Sequence, residues 1–180
     1  MKIPFDMQYD IGELLRETPK NATEFSKGIQ FLKEQSQQST EIEKARLLST
    51  LGVYQRINGD LDASLKSLTE AKELISTDNL ERLQPINDLR IAQTFQFMRR
   101  FEESEQQYLK LTNQIKSDKK LKDLLDFVYQ HHGKLLFEQG KLPEAIICFE
   151  KALSLREYKN EQTLIDSTLY ALEVAKTKLR

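Results

Sequence analysis

The chain has 180 residues, of which 27 are basic and 28 acidic, and 39% of its side chains are hydrophobic. This composition fits one soluble domain with its own core, and it excludes both a disordered chain and a membrane span of about 18 or more apolar residues. The net charge of −1 argues against a nucleic-acid binder, which needs an overall positive field. The single Cys148 and the acidic residues near the start, where a signal peptide would be apolar, predict a cytoplasmic protein.

Six glycines and four prolines are too few for the turns of an all-β protein, so we expect an all-α chain. The first element in chain order is a degenerate helix pair over residues 8–36. Gly12 is the small residue of its first helix, and a turn at Thr18-Pro19-Lys20 precedes a second helix containing Phe25. Asn21 lies three residues before Glu24, which is the spacing of a helix N-cap.

The clearest helix–turn–helix pattern covers residues 40–75. Apolar residues fall at helical spacing on both sides of the polar turn at 58–60. Gly59 lies where the first helix must end, and glycine can adopt the left-handed conformation of a C-cap there. Gly52 lies inside the first helix, where glycine costs about 1 kcal/mol relative to alanine. We therefore expect a close approach of the two helices at Gly52, with the small Ser64 opposite.

The same unit recurs along the chain. An offset of 81 residues carries Gly52 to Gly133 and Gly59 to Gly140, while half that offset gives a degenerate copy with Arg99 at the turn position. The sequence thus predicts repeats over 40–75, 79–116 and 119–156, followed by a capping helix over 160–180. These elements add up to about nine helices in a single domain covering 1–180. The extra residues between units predict that the first helix of each later repeat starts early and runs long.

The segments LGVYQRINGDLDASLKSLTEAKEL and HGKLLFEQGKLPEAIICFEKALSL resemble tetratricopeptide repeats. The first carries the family's Leu-Gly pair, turn glycine and small and Ala positions as Leu51-Gly52, Gly59, Ser64 and Ala71. A period near 40 exceeds the usual 34 residues or so of the family, and it resembles the elongated variety of kinesin light chains and bacterial peptide-sensing regulators. The resemblance implies a right-handed superhelical solenoid of antiparallel helix pairs, with the first helix of each pair on its concave face.

The resemblance also implies a groove that binds a partner. Its positions combine apolar side chains, glutamines that can bond a peptide backbone, and basic residues that favour acidic groups. For Phe97 and Phe137 the alternative is ordinary core. The candidate groove residues are Arg46, Ser49, Val53, Arg56, Leu89, Arg90, Gln93, Gln96, Phe97, Gln130, Lys134 and Phe137, with His131 beside them.

The sequence contains no signature of catalysis, and we expect neither an enzyme nor a cofactor or metal. His131 and His132 are adjacent on a helix, so they point about 100° apart and cannot chelate one metal together. His132 occupies the repeat position of Leu51, which predicts a packed interface residue. Cys148 lies in an apolar run and is expected to be a small buried hydrophobe.

We therefore expect a non-enzymatic protein–protein interaction scaffold that binds a peptide or helix of a partner protein in its concave groove. One alternative is a peptide-sensing regulatory module that changes superhelical pitch on binding its ligand. Another is a self-associating structural adaptor that dimerises through its end helices. The expected partner is another protein or peptide, without nucleic acid or membrane.

Overall fold

The computed structural model describes residues 2–12, 14–77 and 82–180, and this part of the chain is dominated by α-helix. Two short strands, β1 (Tyr9–Ile11) and β2 (Glu17–Pro19), precede the helices. The helices are α1 (Ala22–Gln38), α2 (Glu41–Asn58), α3 (Leu61–Thr77), α4 (Leu83–Phe97), α5 (Phe101–Ser117), α6 (Leu125–Glu138), α7 (Leu142–Lys159) and α8 (Gln162–Leu179). A 3-10 helix over Lys119–Leu124 precedes α6.

The structure divides into two compact units, Met1–Arg100 and Phe101–Arg180. In the first unit, α1 packs on α2, α2 on α3 and α3 on α4, and α2 also contacts α4. In the second unit, α5 packs on α6, α6 on α7 and α7 on α8, and α6 also contacts α8. Within each unit, this packing of consecutive helices is that of an all-α solenoid with tetratricopeptide-like repeats, as the sequence predicts. Residues 119–156, which we predict as the third repeat, span the 3-10 helix, α6 and most of α7, and residues 79–81 at the start of the predicted second repeat lie outside the described residues.

The predicted helix around Gly12 is wrong, and the described residues therefore contain eight α-helices in place of about nine. Strands β1 and β2 pair antiparallel there, with Asp10 opposite Thr18. The chain turns between them through a hydrogen bond from the Gly12 amide to the Arg16 carbonyl, 2.8 Å long. Thr18 and Pro19 belong to β2, so they do not form the predicted turn. The Asn21 N-cap is confirmed, because its side chain accepts from the Glu24 amide at 3.1 Å.

The inter-helix turns share one geometry. Gly59 has φ 91° and Gly140 has φ 77°, and Arg99 at the degenerate position takes φ 59°. At the end of α2 the Asp60 amide donates to the Gln55 carbonyl at 2.8 Å, and the same bond recurs from Arg100 to Phe95 at 2.9 Å. Such bonds satisfy carbonyl groups left open at a helix C-terminus. The repeat therefore keeps its turn even where a bulky residue replaces glycine.

The close approach at Gly52 is present. A Cβ atom built on Gly52 would lie 2.5 Å from Cγ of Leu68, and one on Gly133 would lie 2.6 Å from Cε1 of Phe149. The Ser64 hydroxyl donates to the Gly52 carbonyl at 2.7 Å, which joins α2 to α3 across the same contact. Each glycine thus makes room for a large side chain of the following helix, rather than meeting only the small residue that we expected.

The prediction that later first helices run long is wrong. Helices α4 and α6 have 15 and 14 residues, whereas α5 and α7, the second helices, have 17 and 18. Pro85 lies in the first turn of α4, where a missing amide proton costs no intrahelical bond. Before α6 the extra residues form the 3-10 helix, which Asp118 caps by accepting from the Lys120 amide at 2.9 Å.

A buried ionic network joins the last three helices. The Arg156 guanidinium, 2% exposed, donates through Nε to Oδ2 of Asp126 at 3.0 Å. It also donates to the Leu164 carbonyl at 3.0 Å and to the Thr168 hydroxyl at 2.6 Å. Lys159 forms a second ion pair with Asp126. Burial lowers the pKa of Arg156, and its hydrogen bond to Asp126 raises that pKa. The charges are thus paired and hydrogen-bonded, as burial requires.

Candidate functional site

The candidate groove residues divide into two groups by exposure. Seven are buried within their own unit: Ser49, Arg56, Gln93, Gln96, Gln130, Lys134 and Phe137. The other five are exposed or half-buried: Arg46, Val53, Leu89, Arg90 and Phe97. All five belong to α2 and α4, which contact each other in the first unit. We call these five residues the α2/α4 face.

Below the α2/α4 face, a buried hydrogen-bond network joins α2, α3 and α4. The Ser49 hydroxyl donates to Oδ1 of Asn87 at 2.6 Å, and Nδ2 of Asn87 donates to the Leu68 carbonyl at 2.9 Å. Nη1 of Arg90 donates to the Ser49 hydroxyl at 2.8 Å. Because these polar groups satisfy one another, Ser49 positions Arg90 and does not itself face a partner.

Arg56 forms a buried ion pair with the hairpin. Its Nη1 lies 2.8 Å from Oε2 of Glu17, and the two side chains are 4% and 10% exposed. Nε of Arg56 is buried with no hydrogen-bond partner among the described residues. A buried charged donor without a hydrogen-bond partner is energetically costly. An acceptor that reached Nε of Arg56 would therefore form a favourable hydrogen bond.

Two guanidinium groups lie over the ring of Phe97. Cζ of Arg16 is 4.6 Å from its ring centroid and Cζ of Arg56 is 4.4 Å from it, which are cation–π distances. The Arg16 side chain continues to the C-terminus of α4, where it donates to the Gln96 carbonyl at 3.1 Å and the Phe97 carbonyl at 3.3 Å. A cation is stabilised at this end of a helix by the macrodipole. Phe97 is thus a half-buried ring on which arginine side chains stack, and not a fully buried core residue.

The electrostatics at Arg90 favour a negatively charged neighbour. Burial lowers the pKa of Arg90, and the nearby charge of Arg56 lowers it further. At Tyr9 in β1 negative charge is instead disfavoured, because burial raises its pKa and the carboxylate of Glu17 raises it further. Because Arg90 is partly removed from water, a carboxylate that reaches it is attracted more strongly than at a fully exposed arginine.

In the second unit the candidate residues belong to the interior. Phe137 is 1% exposed, so its alternative as ordinary core is correct, and the Lys178 ammonium lies 4.9 Å from its ring centroid. Lys134 is 7% exposed, and both polar atoms of the Gln130 amide are buried with no hydrogen-bond partner in the described part of the chain. These three side chains present little surface to a partner.

The side chains of His132 and Cys148 are packed within the second unit. The His132 ring stacks on Tyr108 with centroids 5.4 Å apart, and burial lowers the pKa of His132. Burial likewise raises the pKa of the Cys148 thiol, which is 8% exposed. His131 is half-buried. Among residues 2–12, 14–77 and 82–180, no group of three or more His, Cys, Asp or Glu is placed to hold a metal ion.

Sequence reasoning missed Arg16, Glu17 and Asn87. Arg16 and Glu17 lie in the segment for which we expected a helix pair, so their approach to α2 and α4 was not foreseen. The available signal was Gly12 followed by Pro19, two residues that disfavour a helix interior. For Asn87 the signal was its place in the middle of an apolar helical face, where a buried amide requires polar partners.

The comparison with known families bears on the helix pair α6 and α7. Residues 128–159, which cover most of α6 and all of α7, match the family model described as Tetratricopeptide repeat. No curated protein matches the chain. None of the helices in the described ranges combines the length and apolar character needed to cross a membrane. Tetratricopeptide repeats are typical of non-enzymatic modules that bind other proteins. The segment 128–159 is therefore a tetratricopeptide repeat.

Proposed function

We propose that this chain is a non-enzymatic cytoplasmic module that binds another protein, and that a carboxylate-bearing peptide of that partner docks on the α2/α4 face. The partner's acidic side chains bond to Arg46 and Arg90, and its apolar side chains contact Val53 and Leu89. Affinity comes from a few such anchors, since a minority of interface residues carries most of the binding energy.

One observation supports the choice of this face over the second unit. The arginines and apolar side chains that remain accessible among the candidate residues lie on α2 and α4, whereas those of α6 are buried. The partner's carboxylate is favoured because the arginine fork binds it bidentately, and because Arg90 is already held in place by Ser49.

The test is selection of peptides on the full-length chain from a random displayed library. We expect selected peptides to be enriched in Asp and Glu beside apolar residues. The double variant Arg46→Glu/Arg90→Glu should weaken their binding by roughly 30-fold or more, because attraction becomes repulsion at two contacts.

The matched control is Lys66→Glu/Lys110→Glu, which changes the net charge equally at exposed positions on α3 and α5. Its affinity should stay within about twofold of the original chain. The further variant Arg90→Gln keeps a donor for Ser49, so it separates loss of charge from loss of the internal hydrogen bond. Circular dichroism verifies that each variant is folded. Selected peptides that bind the Arg46→Glu/Arg90→Glu chain as tightly as the original would refute the assignment of this face.

A further inference from the structure

The N-terminal segment 2–20, which we call the strap, packs on α1 through apolar contacts. The Met7 sulfur occupies the space that a Cβ atom on Gly28 would take. The ring of Phe5 meets that of Phe31 edge to face, with centroids 6.2 Å apart. These contacts anchor the first part of the strap to a helix that is not part of the α2/α4 face.

The second part of the strap reaches α2 and α4. Glu17 supplies its carboxylate to Arg56 at 2.8 Å, and Arg16 bonds two carbonyls at the end of α4 at 3.1 and 3.3 Å. Between the strands, Leu15 is 2% exposed and has φ 58°, a left-handed conformation that is unfavourable for leucine. Surrounding contacts must hold a bulky residue in that conformation, and their release would relieve the strain.

The strap therefore supplies the kinds of group that a bound peptide would supply. It presents a carboxylate to the buried guanidinium of α2, and backbone in an extended conformation beside it. It also covers the end of the α2/α4 face at Phe97, through the arginine that stacks on that ring.

We propose that the strap is a built-in competitor at the Phe97 end of the α2/α4 face, and that an acidic segment of a partner displaces Glu17 from Arg56, whose guanidinium lies over the Phe97 ring. This inference rests on the proposed function and adds its regulation. The strap is tethered to the helices that it covers, so its effective concentration is on the order of millimolar. A partner binds only those molecules in which Glu17 has left Arg56, so its apparent affinity is the intrinsic affinity multiplied by the fraction of such molecules.

The test compares three full-length chains: the original, Glu17→Gln and Asp10→Asn. Glu17→Gln removes the charge that pairs with Arg56. The matched control Asp10→Asn makes the same chemical change in the same hairpin, at a carboxylate that pairs at 3.5 Å with the exposed Lys20. The first probe is a fluorescein-labelled synthetic peptide with the sequence of residues 2–20, and its binding is followed by fluorescence anisotropy.

We expect this peptide to bind the Glu17→Gln chain at least tenfold more tightly than the original or the Asp10→Asn chain, because only the former has lost its internal competitor. A peptide carrying Glu17→Gln itself should bind the same chain at least tenfold more weakly. Equal binding of the first peptide to all three chains overturns the proposal.

Hydrogen exchange provides the second measurement. Glu17→Gln should accelerate amide exchange in β1 and β2 while α1–α4 keep their protection. No acceleration, or acceleration spread over the whole first unit, overturns the proposal, since Glu17 would then be irrelevant or a general structural residue.

Library peptides separate this inference from the proposed function. If acidic peptides bind the original and Glu17→Gln chains equally, the strap does not compete although the α2/α4 face binds. If the strap peptide shows the expected preference and no library peptide binds, the strap does occupy a binding site on the helices. The proposed function, binding of an acidic partner peptide, is then wrong.

Discussion

Replacing Gly52 by alanine should destabilise the first unit by up to about 2 kcal/mol, the overpacking cost less the gain in helix propensity. In an unobstructed helix the change would stabilise by about 1 kcal/mol, the difference in helix propensity. Here the added Cβ would lie 2.5 Å from Cγ of Leu68 and 3.2 Å from the Ser64 carbonyl oxygen. Two carbon atoms in contact prefer a separation of about 3.5–4.0 Å, so α2 and the Leu68 side chain must move apart by about 1 Å. Leu68 is fully buried, and such overpacking typically costs about 1–3 kcal/mol.

The assay is urea unfolding of the full-length chain, followed by circular dichroism at 222 nm and extrapolated linearly to water. Leu68→Ala alone should cost about 2–5 kcal/mol through its cavity. The double variant Gly52→Ala/Leu68→Ala should cost less than the sum of the two by about 1–2 kcal/mol, because the new methyl group enters the vacated space. Additive effects, or a stabilised Gly52→Ala chain, would refute the close-contact explanation.

Two further predictions concern the turns and the buried histidine. Arg99→Gly should stabilise the chain by about 0.5–1 kcal/mol in urea unfolding, because the strain of φ 59° exceeds the entropy cost of glycine; unchanged or reduced stability would contradict this. His132 has a lowered pKa in the folded chain, so below pH 6.5 or so the unfolded chain binds its proton more readily, and stability should fall as the pH drops through that range. His132→Leu, which restores the residue at the repeat position of Leu51, should flatten this component of the pH profile measured by urea unfolding between pH 7 and 5, and a profile as steep as that of the original chain would contradict the assignment.

The repeat was predictable from the sequence because a few backbone and packing requirements recur at fixed spacing. Gly59 and Gly140 marked left-handed turns, and Gly52 and Gly133 marked close helix contacts. These are local requirements of one residue, so one sequence is enough to find them. Arg99 shows the limit: its turn follows from the hydrogen bonds of the helix end, whereas its side chain disfavours the conformation.

The candidate site was less predictable, because exposure depends on what else packs on a helix. Arg56 and Gln96 lie at the expected groove positions, yet both are buried. The strap pairs with the Arg56 side chain and bonds to the Gln96 carbonyl, and nothing in the spacing along α2 and α4 indicates that a hairpin distant in sequence reaches these positions. Tertiary packing thus decided which of the candidate residues remain accessible, while the repeat pattern decided only which face of the helix they occupy.

The ionic network around Arg156 limits how many residues can be removed from the C-terminal end of the second unit. Two of the acceptors of its guanidinium, the Leu164 carbonyl and the Thr168 hydroxyl, come from α8. A truncated chain ending before Thr168 would expose a cation that is 2% accessible in the intact unit and leave Asp126 with fewer neighbours to fix it. Expression fragments of this unit therefore need to extend through the first half of α8. Protease cleavage within that stretch should unfold the unit, not merely remove its last residues.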